Sequence, residues 1–280
     1  MAMFADVTLA ARLERAEARL SADIAEAILR GGREPTSFVE PIGGGVAVFA
    51  GRGSPINKVI GLGFDGTVEP PRLDAVEALF AARLSPVQAE VATLADPALH
   101  AALGARGYRL AGFEHVLGLA LSDPLPDVDE AISVAECGAH DAAHWLDVVV
   151  TGFEHPDDVP AAAVGQEFAR EALERVFGDL AATPGFRRYL ARAGGTVAGG
   201  ASMRVVDGVA QLCGAATLPT FRRRGVQTAL LASRLRDARR AGCDVAVVTT
   251  APGSKSQQNA QRRGFSLLYA RALHVLASDR

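Results

Sequence analysis

Thr217-Leu-Pro-Thr-Phe-Arg-Arg-Arg-Gly-Val-Gln-Thr-Ala229 sets three consecutive cations and a glycine where an apolar run gives way to an amphipathic one. The chemistry available to such a stretch is the holding of an anion. The first N–H groups of a helix find no partner within it, and its dipole is positive there. Gly225 also lets a ligand approach the main chain with no Cβ in the way. Arg222, Arg223 and Arg224 would add charge-assisted bonds to phosphate oxygens. The bland alternative is a basic helix end facing solvent, but cations disfavour a helix start, so three of them there invite an anionic partner.

A second group is Glu154, His155, Asp157 and Asp158. Histidine titrates near neutrality and can take a proton, whereas an acidic loop in water needs no function at all. Glu167 and Glu171 stand four apart and read as the polar face of a helix. Cys213 has no histidine beside it in the sequence, which argues against a covalent intermediate on its sulfur. The three cysteines contain no C-x-x-C pair, so neither a disulfide framework nor a zinc site is expected, and a reducing cytoplasm is the expected home.

Composition narrows the partners. The chain has 280 residues, 49% of them apolar, and a formal charge of −3. Two soluble domains fit this length, and a broad nucleic-acid-binding face does not fit this charge. No apolar stretch is long enough for a membrane span, and charged residues break up any signal-peptide core near the start.

The elements that must position these residues follow from periodicity. Leu9, Leu13, Ala16, Leu20, Ile24 and Ile28 predict a helix over about 6–29, stopped by Gly31-Gly32. Strands are expected at 38–40 and 46–49 around the turn Gly43-Gly44-Gly45, then at 58–64, 87–94 and from Tyr108, with helices at 73–83 and 97–106. Beyond a linker at 122–130, rich in proline and aspartate, the order repeats. A strand at 133–136 precedes helices at 141–151 and 161–177, and strands follow at 187–193, 197–205 and 209–216. A helix at 224–241, a strand at 245–249, a helix at 254–263 and a strand at 265–276 complete the series.

The two halves can be superposed as sequences. Arg106-Gly107-Tyr108 matches Arg263-Gly264-Phe265, and Val91-Ala92-Thr93 keeps the same offset against Val248-Thr249-Thr250. Gly61 answers Gly214. The stretch between these anchors is shorter in the first half, where Asp65-Gly66-Thr67-Val68-Glu69-Pro70-Pro71 brings two acids and two prolines to the place of the arginine loop. Proline donates no N–H. The expectation is a duplication, with an empty copy over 1–121 and an anion-binding copy over 131–280; a chance likeness of two α/β pieces is the alternative.

Arg222-Arg223-Arg224-Gly225-Val226-Gln227 resembles the R-x-x-G-x-G/A pyrophosphate loop of the GNAT acyl-CoA N-acyltransferases, departing from it at Gln227. The resemblance implies an α/β (α+β) chain of two GNAT-like domains, each a mixed, mostly antiparallel sheet flanked by helices. It implies acetyl-CoA as acetyl donor, a strand at Gln211–Thr217 that splays from its neighbour, and cofactor contacts from Ala216, Thr217, Leu218, residues 222–228 and Asn259. The family often places a tyrosine where this chain has Ala260. Ser256, Asn259 and Tyr269 are therefore the candidates to meet the departing thiolate, with His155 and Glu154 the candidates for base. Direct transfer to an amine, either a small molecule or a protein amine, is the activity so implied; a sensor that binds acyl-CoA without turnover is the alternative. A nucleotide-binding protein is a third, disfavoured by the absence of G-x-x-x-x-G-K-[ST].

Overall fold

The computed structural model describes residues 3–122, 124–125, 131–155 and 170–278. Helix α1 (Val7–Arg30) opens the chain, its start capped by Asp6, which accepts from the Leu9 N–H at 2.8 Å. It buries Leu13, Leu20, Ile24 and Ile28, the stripe that the periodicity predicts. Strands β1 (Phe38–Ile42) and β2 (Gly45–Phe49) pair as a hairpin about the glycine turn. Strand β3 (Lys58–Ile60) follows, then α2 (Pro70–Ala81), β4 (Val87–Ala92), α3 (Ala98–Ala105) and β5 (Arg109–Ala120). β3 runs parallel to β4 and ends sooner than expected, because the chain turns at Gly61, whose φ is +82°.

The second half begins with β6 (Ile132–Glu136), α4 (Ala142–Glu154) and α5 (Arg170–Ala181). Strands β7 (Phe186–Ala193), β8 (Thr196–Val206) and β9 (Val209–Thr217) form an antiparallel meander with β6. Helix α6 (Val226–Arg240) leads to β10 (Val245–Thr250), parallel to β9, and then come α7 (Lys255–Arg262) and β11 (Ser266–Leu276). Trp145 anchors the core of this half: its indole N–H donates to the Ala201 carbonyl at 2.9 Å, and its ring meets Phe177 edge-on. Of the expected linker, residues 123 and 126–130 lie outside the described residues, as do Asp157, Asp158 and Glu167.

Both halves are mixed sheets flanked by helices, yet the compact units are not the two linear pieces expected. One unit gathers Phe4–Leu117 with Thr249–Pro252 and Leu267–Arg280; the other gathers Met1–Met3, Gly118–Val248 and Gly253–Ser266. The physical reason is β11. It inserts between β4 and β5 and pairs antiparallel with β4, Arg271 opposite Ala92 and Leu276 opposite Val87. The strand order in the first unit is β1-β2-β3-β4-β11-β5, and in the second β10-β9-β8-β7-β6.

Candidate functional site

Strands β9 and β10 share only three rungs, Val209 to Gln211 against Val245 to Val247. Beyond Gln211 β9 continues to Thr217 on β8 alone, so the edge it turned toward β10 is released. The break has a local cause. Ala201 faces Ala215 but Ser202 faces Cys213, leaving Gly214 as an extra residue in a bulge with φ +33°. A Cβ at Gly214 would stand 2.6 Å from the ring of Phe177, so this bulge admits only glycine beneath α5.

β9 then passes through one 3-10 turn, Pro219–Phe221, into the arginines. Arg222 is extended, Arg223 is held at φ +61°, and Gly225 takes φ +82° as the residue before α6. A left-handed arginine costs on the order of 1–2 kcal/mol, a strain that the surrounding fold imposes. No side chain caps the first turn of α6, and its first internal bond runs from the Ala229 N–H to the Gly225 carbonyl at 3.0 Å. The start of this helix is a ring of main-chain donors beside exposed Arg223 and Arg224. Arg224 lies over the Phe221 ring, 5.4 Å from its centre. Gln227 is part-buried, and the Thr228 hydroxyl accepts from Arg263 Nη2 at 2.7 Å. Arg263 is a fourth cation at this start that sequence reasoning missed, because it lies on the far end of α7.

Arg222 differs from its two neighbours. Its Nε approaches the Thr217 carbonyl at 3.4 Å, and Nη2 donates to the carbonyl of His155. It ties the loop to the end of α4. Ala216, Thr217 and Leu218 lie on the way in: the first two are buried, the Thr217 hydroxyl has no partner, and the Leu218 N–H is spent on Ala198 at 3.0 Å.

On the other side of the bulge α4 and α5 form a wall. Gly152 is packed so closely on Ala216 that a Cβ there would stand 2.3 Å from the alanine methyl. Phe153 and Phe177 meet at 5.2 Å, with Phe153 exposed. Arg170 gathers the acids: Asp147 at 2.5 Å, Glu154 at 2.6 Å and Glu174 at 3.0 Å. Glu154 is therefore an ion-pair partner rather than a free carboxylate. His155 is exposed, and its Nδ1 lies 2.9 Å from the Thr151 carbonyl. That bond requires the proton on Nδ1 and leaves Nε2 of the neutral ring as an acceptor. Ser256 and Asn259 are exposed on α7, which Ser254 caps through the Gln257 N–H at 3.2 Å, while Ala260 is buried.

Tyr269 belongs elsewhere. It is buried in the first unit and gives its hydroxyl to Glu14 at 2.8 Å, which removes it from the candidates for a thiol partner. Burial beside Glu14 holds its proton far more tightly than an ordinary phenol. Glu14 also accepts from Arg271 Nε at 2.8 Å; burial pushes the Glu14 carboxyl up, and Arg271 offsets that only in part. Nearby, burial alone would lower Lys58, but Glu90 at 3.0 Å outweighs it and holds the ammonium at about 12. Burial, then the charge of Glu90, raises Glu114 to about 7.

Residues 154–265 match the model of the acetyltransferase (GNAT) family. Over that stretch the chain is similar to the GNAT family. The GNAT fold extends to the rest of it. A GCN5-related N-acetyltransferase from Kribbella flavida superposes with a TM-score of 0.64 at 18% identity, covering 92% of this chain and 94% of that one. A tandem GNAT protein from the clavulanic acid biosynthesis pathway gives 0.57 at 17%, covering 94% of each. A third, a GCN5-related N-acetyltransferase from Sphaerobacter thermophilus, gives 0.56 at 15%, covering 80% of this chain and 72% of that one. No curated protein matches the chain. Among the described residues no helix is long and apolar enough to cross a membrane, and no cluster of side chains suits a metal ion.

Proposed function

We propose that the chain is an acetyl-CoA-dependent N-acetyltransferase whose second copy holds the coenzyme and whose first copy is empty. The observation that carries this reading is the junction at which β9, released from β10 beyond Gln211, runs through the arginine loop into the uncapped start of α6. The released edge offers main-chain groups to an amide-bearing chain such as pantetheine, and the helix start offers N–H groups to a diphosphate. Acetyl-CoA would supply the activated acetyl group. Arg223, Arg224 and the amides of residues 225–228 would hold its phosphates, with Arg263 positioning Thr228. Arg222 would act at one remove by tying the loop to α4.

The acceptor would be an amine, small or protein-borne, taken up against the wall of Phe153 and Phe177. His155 Nε2 is a proton acceptor on that wall, and direct transfer from thioester to amine needs such a base or a water path for the amine's proton and a donor for the departing thiolate. Ser256 and Asn259 on α7 remain the candidates to meet the departing sulfur. The second reading, a sensor that binds acyl-CoA without turnover, draws on the commitment of Tyr269 to Glu14 and on buried Ala260 where the family often has a tyrosine. Calorimetric titration of the full chain with CoA tests the binding claim, with one site per chain expected. A broad amine screen with acetyl-CoA tests the activity: product from any amine favours the enzyme, and binding with no product favours the sensor.

A further inference from the structure

We propose that Arg234 and Ser202 are positioning residues that hold β9 in the bulged register from which it leaves β10, and so keep the coenzyme cleft open. The inference deepens the acetyl-CoA reading and rests on it for its functional consequence. Arg234 lies on α6 and is 4% exposed; its Nη1 donates to the Ser202 carbonyl at 3.0 Å and its Nε to the Leu230 carbonyl at 3.2 Å. Ser202, fully buried on β8, in turn gives its hydroxyl to the Cys213 carbonyl at 2.8 Å. The bonds form a relay from helix to β8 to β9, and the relay ends on the register shift, where Ser202 faces Cys213 and Gly214 is left over. A bulge breaks the ladder of main-chain bonds, and a side-chain hydroxyl at that point supplies a donor the ladder has lost.

The arrangement is poor as a device for stability alone. A guanidinium stands in the core with no carboxylate against it among the described residues; the titratable groups that face it are Cys213 and Tyr189. Burial, the dominant effect, pulls its pKa down to about 10. A buried charge without a countercharge carries a desolvation cost that no ion-pair attraction repays. A methionine would fill this space but could not hold two carbonyls. What the arginine adds is the placing of β8 and, through Ser202, of the strand whose released edge forms the cleft.

The test compares Ser202→Ala, Arg234→Met, Arg234→Lys and a core control, Leu235→Ala, in the full chain. Three quantities are read: amide exchange over residues 212–216, CoA affinity and Tm. Ser202→Ala and Arg234→Met are expected to speed exchange at 213–215 by about tenfold and to raise the CoA Kd by about tenfold, the size of one lost buried hydrogen bond. Arg234→Met should do so with a smaller fall in Tm than Leu235→Ala, because the lost bonds are offset by removal of a buried charge. Arg234→Lys, which keeps the charge and a donor, should recover part of both losses, and Leu235→Ala should lower Tm without selective exchange at the bulge. Parent-like exchange at 213–215 in both Ser202→Ala and Arg234→Met would overturn the proposal, as would affinity losses that merely follow Tm as in the control. If the parent binds no CoA, the acetyl-CoA reading falls, while the exchange data still decide whether the relay holds the bulge.

Discussion

The same passage, from the middle of a parallel strand to the start of a helix, occurs once in each half with opposite outcomes. In the second copy β9 runs on past its last rung with β10, Gly214 bulges beneath Phe177, and the chain enters α6 through three arginines onto an uncapped helix start. In the first copy β3 stops at Ile60, and α1 packs on Gly61, where a Cβ would lie 3.3 Å from Ala18. The chain then turns back on itself: the Gly63 carbonyl accepts from the Asp96 N–H at 2.9 Å, and Leu62 is 1% exposed. Helix α2 begins Pro70-Pro71 behind Glu69, so its first turn lacks two of the donors that α6 presents and carries an acid where α6 has cations. One topology thus yields an open helix start or a sealed turn according to a few residues after the strand. The unit around the sealed turn is satisfied instead by groups that β11 brings to it, Glu14 holding Tyr269 and Arg271 in its core.

That contrast can be broken at four places. The largest effect is expected from Arg271→Met, which strands Glu14 in the core: loss of one partner of a buried pair costs about 3–5 kcal/mol, read as a fall in unfolding free energy in urea. A loss under about 1 kcal/mol would mean the first copy does not depend on this pair. Next, Arg223→Glu with Arg224→Glu should weaken CoA binding by about a hundredfold, near 3 kcal/mol, with an unchanged circular dichroism spectrum; overlapping titration curves would remove the second copy's claim to the phosphates. A smaller effect concerns Glu114, whose carboxyl in the fold is raised from 4.5 to about 7 by burial and then by Glu90. Between these values the fold must keep a proton that the unfolded chain gives up, so stability falls as pH rises through the interval and levels off above it. Glu114→Gln should flatten that slope and gain about 1 kcal/mol at pH 8, discounted because the carboxylate is part-solvated; an unchanged slope would assign it to other groups. Least of all, Asp65→Ala with Glu69→Ala should leave CoA affinity and a stoichiometry of one untouched, and a second CoA per chain would end the distinction between the copies.

Much of this was legible before any coordinates. The stripe of α1, the glycine hairpin, the meander β7–β9 and the short helix after Ser254 are local patterns, and local patterns carry their own evidence. So does the passage from strand to helix at the arginines, since the apolar run gives way to an amphipathic one across Gly225. What escaped was non-local. The alternation of β11 marks a strand but names no neighbour, so nothing in Ser266–Leu276 told that it pairs with β4 rather than completing its own copy. The misassignment of Tyr269 followed from this. Arg263, Phe177 and Arg234 likewise act through residues 35, 37 and 32 positions away, distances at which spacing says nothing. β3 was read too long because Gly61 and Gly63 leave the strand path while the apolar pattern continues through Leu62.

The place of β11 also bears on how the chain comes off the ribosome. At about 5–20 residues per second, the strands of the first copy are complete long before residues 267–276 emerge, and in that interval β4 and β5 lack the strand that belongs between them. An unpaired edge of that kind invites pairing with another chain. Translation halted between β10 and β11 would therefore leave the half made first, not the half made last, as the one prone to aggregate.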